Sequence, residues 1–317
     1  MKLINLLATT SDDIEHTINV FSLRSVLIAS FLLIVLVLIS SQVIKNKKRK
    51  NLKKPLFIAI VLAISIPSLL MTGSTIYVNT ISDSKGPVHW HADIEFWVCG
   101  QEIELRDPYE FLSNKIGTST YHEHDDKRIH LEGVVIDRER DASLEKFMRV
   151  TGGAIASNKL IIPTEPTLFE DDIDGDTSKG NPTVVQSFAS LDDEGRTVLS
   201  MTNGDSCGGE ELAEVQAFLF RYNEKDKTYQ QIKLSEPAQY VIRDEPNVPP
   251  GDCVIVEFDS PKSRTDKLCQ QYGVKDELRC TEFGVKTFDP RVCTLKESFD
   301  DTLQTETILP TANQEAL

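Results

Sequence analysis

Two long apolar runs flank a short, strongly basic segment near the start of this chain. No other feature constrains the fold so tightly. Ser25 to Ile44 is twenty residues without a charge. A helix of that length reaches about 30 Å, the thickness of a hydrocarbon core. A second apolar run extends from Leu56 to Val78 and contains Pro67, which a membrane helix tolerates as a kink. Between them, residues 45–54 carry seven Lys/Arg and no acid. Membrane helices are therefore expected at 25–44 and 55–78. The basic loop stays in the cytoplasm by the positive-inside bias. Residues 1–24 and everything from residue 79 onward then lie outside, giving a two-pass cell-membrane protein with both termini extracytoplasmic. The first run is not expected to be a cleaved signal peptide, because the segment before it is long and acidic. The alternative, a buried hairpin in a soluble core, leaves the basic segment unexplained.

Charge separates the two parts. Residues 1–78 hold nine of the 34 Lys/Arg and three of the 49 Asp/Glu, which leaves 25 and 46 in residues 79–317, a net of −21. Such a surface repels nucleic acid and anionic lipid and attracts cations; the equal alternative is that it serves only solubility at a crowded cell surface. All six cysteines (Cys99, Cys207, Cys253, Cys269, Cys280 and Cys293) lie in this outer part. In an oxidising compartment they can form up to three disulfides, and the fifteen possible pairings stay open. Cys280 and Cys293 are the best local pair. No Cys-x-x-Cys occurs, which disfavours a redox motif or a cysteine zinc ribbon.

The outer part reads as α+β. A polar linker, 79–87, leads to a strand at 89–98 and a return strand from Glu102. A hairpin is expected over 121–135, turning at 125–128. A helix follows, with Asp141 as N-cap and Gly152-Gly153 as its stop. Residues 163–209 show little strand pattern. Strands at 215–222, 228–234 and 253–258 complete a domain set at 88–260. One helix across a mixed sheet gives a β-grasp-like core, with the hairpin inserted between the second strand and the helix. A cysteine-containing, loop-rich extension (261–302) and a polar, disordered tail (303–317) follow. Glu170 to Asp176 is acidic like a calcium loop, but Thr183 stands where an EF-hand needs Glu.

Five of the six histidines fall between His89 and His130, as His89-Trp-His91, His122-Glu-His124 and His130. Imidazole is the commonest protein ligand for zinc and copper. Histidines at i and i+2 on a strand share a face. An odd hairpin loop that sets His124 opposite His130 and His122 opposite Glu132 would place all four on one face, beside His89 and His91. That face suits zinc or copper(II). Copper(I) usually needs thioethers, and from residue 79 onward the outer part offers only Met148 and Met201. The cupin pattern is absent, since Arg128 and Ile129 stand where it needs Glu. Three functions fit: a membrane-anchored extracytoplasmic metal-binding domain for sensing, storage or handover; an envelope binding or scaffold module, possessing a protein partner, whose histidines form a structural network against Trp90, Trp97 and Tyr121; and a metal-dependent hydrolase with Glu123 or Glu132 as base. No nucleotide-binding or serine-hydrolase motif appears.

The segments GPVHWHADIEFWVCGQEIEL, YHEHDDKRIHLEG, SLEKFMRVTGG, VPPGDCVIVEF and DKLCQQYGV, in that order, resemble a family of membrane-anchored, histidine-rich extracytoplasmic domains of candidate-phyla bacteria and other prokaryotes. The resemblance implies a domain over roughly residues 86–274 and a single histidine set. It implies no activity.

Overall fold

The computed structural model describes residues 11–45, 51–108, 113–165, 182–223, 228–248 and 251–272. They fall into two compact units. The first contains helices α1 (Ser11–Lys45) and α2 (Lys53–Ile81), which pack against each other. Each has a stretch long and apolar enough to cross a membrane, Val20–Val43 and Lys53–Ile81. Their apolar side chains are uncovered: Phe31, Phe57 and Leu69 are 67–71% exposed. A core hairpin would bury these groups, so the exposure argues for a lipid-facing pair. Both helices outrun the apolar windows. α1 begins in the acidic segment expected to precede the span, and α2 takes in the first residues of the expected linker. The rest of that linker is tied down, with Asp83 and Ser84 donating to the carbonyls of Ile136 and Val135 at 3.1 and 3.2 Å.

The second unit is the α+β domain. Strand β1 (Pro87–Val98) lies parallel to the last strand, and β2 (Gln101–Ile103) pairs antiparallel with its end. Next come β3 (Ile116–Gly117), β4 (Tyr121–Glu123) and β5 (Arg128–Val134). Helices α3 (Arg138–Asp141) and α4 (Leu144–Thr151) follow. β6 (Ala154–Ile155), β7 (Lys159–Pro163), β8 (Ala189–Leu191) and β9 (Thr197–Thr202) form a second, four-stranded sheet in the order β6-β7-β9-β8. β10 (Glu214–Asn223), β11 (Thr228–Leu234) and β12 (Asp252–Asp259) return to the first sheet, whose order is β11-β10-β12-β1-β5-β4-β3.

The arrangement β2-β1-β12-β10-β11, with first and last strands parallel at the centre, is that of a β-grasp. The β4–β5 hairpin enters between β2 and α4 and takes the free half of the β1 edge. The second sheet was not expected. Its strands have two to six residues. β8 is exposed throughout, so no alternation marks it.

One face of β1 (Ala92, Ile94, Phe96 and Val98) is at most 2% exposed and forms the main core, which α4 joins through Leu144, Phe147 and Met148. The N-cap of α4 is Ser143, whose hydroxyl accepts from the Lys146 amide, rather than Asp141. Asp141 instead ends the preceding short helix. At the other end Gly152 takes the left-handed conformation, φ 95°.

Among the described residues two disulfides are present, Cys99–Cys207 and Cys253–Cys269. The second sits in an apolar cluster with Phe218, Phe220, Ile255 and Tyr272, on the other face of the sheet. The packed domain therefore continues past residue 260, to Tyr272. Cys280, Cys293 and the acidic segment 170–176 lie outside the described residues.

Candidate metal centre

The histidine face follows from strand parity. On β1, His89, His91, Asp93, Glu95 and Trp97 point away from the main core. On the hairpin, the observed register pairs His122 with His130 and Tyr121 with Leu131. Tyr121 and Leu131 enter the core, so the histidines face the other way. The expected pairings, His124 with His130 and His122 with Glu132, are off by two residues. Glu132 donates its amide to Thr120 instead. A slip of two preserves the face. The turn uses left-handed backbone at Asp125 and Lys127, φ 63° and 56°.

The five rings form a continuous chain. Centroids are 4.5 Å apart for His89 and His91, 4.8 Å for His91 and His130, 4.8 Å for His130 and His124, and 4.7 Å for His124 and His122. His122 and His130 stack in parallel at 5.5 Å. Two triads, His89/His91/His130 and His122/His124/His130, each offer nitrogens within 4.8 Å of one another. A tetrahedral zinc ion holds its nitrogens roughly 3.3 Å apart, so ring movements of about an ångström would close either triad.

The outer nitrogens are already fixed. His91 Nδ1 lies 2.9 Å from the carbonyl of Pro246, and His124 Nδ1 lies 2.9 Å from that of Asn114. Each ring donates there and keeps its Nε2 lone pair for another partner, the usual support of a ligating histidine. His130 Nε2 lies 3.1 Å from Asp126 Oδ2, and His89 Nε2 lies 2.9 Å from Glu132 Oε1. His122 is buried and its Nδ1 has no hydrogen-bond partner. Burial first, then the charge of Lys115, pushes its pKa down to about 4. Burial also lowers His91. Both rings stay neutral near pH 7, the form a metal binds.

Two acidic residues need reassignment. Glu132 sits at the rim of the patch, 2.9 Å from His89 Nε2. Glu123 does not, for its carboxylate accepts from the amides of Asp126 and Lys127 and closes the turn on the opposite face. Asp93 was not foreseen. It accepts from Arg128 Nε at 2.9 Å, while its buried Oδ2 has no partner. Burial raises its pKa to about 6. The sequence held a signal for it, since Asp93 continues the alternation His89-x-His91-x-Asp93.

The aromatic residues expected to stack on the histidines do other work. Tyr121 packs on Phe147, while Trp97 lies under Lys267 and Trp90 under Arg138. Met148 and Met201 are fully buried core residues. Fold and site thus define an α+β domain with a five-histidine face, carried behind two apolar helices. No protein-family model, curated protein or solved structure matches the chain.

Proposed function

We propose that this chain is a membrane-anchored metal-binding protein whose histidine face holds zinc or copper(II) outside the cytoplasm, for sensing, storage or handover. The observation that carries this is the mutual contact of five imidazoles, four of which have a nitrogen tied to a carbonyl or carboxylate. A merely structural network would spread its rings among other partners, and here the rings meet each other. Imidazole-rich ligation without thioethers suits zinc or copper(II) over copper(I), and excludes magnesium and calcium, which take oxygen ligands. The two disulfides and the basic segment after α1 support an oxidising side for the domain and a cytoplasmic side for the loop.

The test is metal content. Full-length protein purified in detergent, supplied with zinc or copper(II) and dialysed, should retain at least one equivalent. The His91→Ala/His124→Ala/His130→Ala variant should retain none. Wild-type protein that retains no metal would sink the reading.

A further inference from the structure

The two triads share one residue, and that sharing has a mechanical consequence if the face binds metal as proposed above. We propose that the histidine face gives a single ion two alternative positions, an outer one at His89/His91/His130 and an inner one at His122/His124/His130, with His130 common to both. The ion enters at the outer position and is retained at the inner one.

Three observations carry this. A neutral imidazole has one lone pair, because its other nitrogen bears a proton. In His130 the Nε2 position faces the Asp126 carboxylate at 3.1 Å, with the second oxygen at 3.4 Å, and a carboxylate holds a proton on that nitrogen. His130 therefore completes one triad at a time.

The second observation is the gradient of exposure. The His89 side chain is 61% exposed and that of His130 is 12% exposed. His122 is 1% exposed. Solvent reaches His89 at the outer end of the chain of rings and is shut off from His122 at the inner end, while His91 and His124 are half-buried.

The third concerns what each position lacks. His89 Nε2 is engaged by Glu132, so an arriving ion meets a carboxylate and an exposed imidazole together. Inside, the buried His122 Nδ1 has no partner, a cost that an ion or its hydrogen-bonded water would remove. Because neighbouring rings along the path are 4.5–4.8 Å apart, an ion moving inward exchanges one pair of ligands while His130 stays bound.

Zinc stoichiometry and exchange on the full-length chain in detergent test this. Wild type should hold one zinc. His122→Ala/His124→Ala should still hold one, and surrender it to excess EDTA at least tenfold faster. His89→Ala/His91→Ala should also hold one, with uptake at least tenfold slower. His130→Ala should weaken binding more than either. Should loss of His122 unfold the domain, His124→Ala alone, at a less buried ring, should show the fast release. Two zinc ions per wild-type chain, or complete loss of binding in either folded double variant, would overturn the two-position proposal and leave the metal reading intact. Wild type without zinc or copper(II) would overturn both.

Discussion

Buried titratable side chains on the histidine face pull stability in opposite directions with pH. His122 has a folded pKa of about 4, below its ordinary 6.5. Its contribution is present above pH 6.5 and is lost as pH falls toward 4. In metal-free protein its ring signals should titrate with a midpoint near 4 by NMR, and a midpoint near 6.5 would show that the ring is solvated. Glu95 behaves inversely. Burial raises its pKa from 4.5 to about 7, although the Gln270 amide and Trp97 Nε1 donate to it. A raised carboxyl favours folding below pH 4.5 and opposes it as pH rises through 7. Glu95→Gln should therefore stabilise the domain by about 1–2 kcal/mol at pH 8, with the gain vanishing below pH 4.5. Urea unfolding followed by Trp90 and Trp97 fluorescence reads this directly, since the chain has two tryptophans and both are in this domain. A Glu95→Gln variant less stable at pH 8 would mean that its hydrogen bonds outweigh its desolvation.

At the scale of elements, the site depends on how β3 meets β4. Gly117 has φ 105°, and a Cβ there would lie 2.5 Å from the Tyr121 carbonyl oxygen and 3.0 Å from His122 Cα. Gly117→Ala should cost about 2 kcal/mol or more by chemical denaturation, from the left-handed backbone and the displaced strand. It should also loosen metal retention, because His122 moves with its backbone. Cys253–Cys269 closes a 16-residue separation inside an apolar cluster. Replacing both by Ala should destabilise by about 3 kcal/mol in the same assay. The sequence made much of this level readable. Hairpin, helix and the strands 214–223, 228–234 and 252–259 follow from alternation and turn residues. The histidine face follows from parity, which survives a two-residue slip. The register itself does not, since it is fixed by the turn over residues 124–127 and its left-handed Asp125 and Lys127. Cys99–Cys207 spans 108 residues, and such a pairing is set by tertiary packing alone. Asp93 escaped because a lone carboxylate beside two histidines looks like any solvated acid until its burial is known.

For the whole molecule, the orientation we infer places the basic loop in the cytoplasm and the α+β domain outside. A cysteine introduced at Asn51 should resist a membrane-impermeant maleimide in intact cells. One introduced at Leu191, 69% exposed, should react. The opposite pattern would invert the topology. The parallel pairing of β1 with β12 adds a temporal consequence. These strands are neighbours in space, but paired residues such as Ala92 and Asp252 are 160 apart in sequence, and contacts so distant form late. In a chain exported from its N-terminal end, β1 leaves the membrane first, carrying His89, His91 and the following Cys99. It then waits for the last strand with its backbone edge open. During that interval its two histidines and thiol are available to stray metal and mistaken partners, so the domain's yield in the envelope should depend on how quickly export delivers β12.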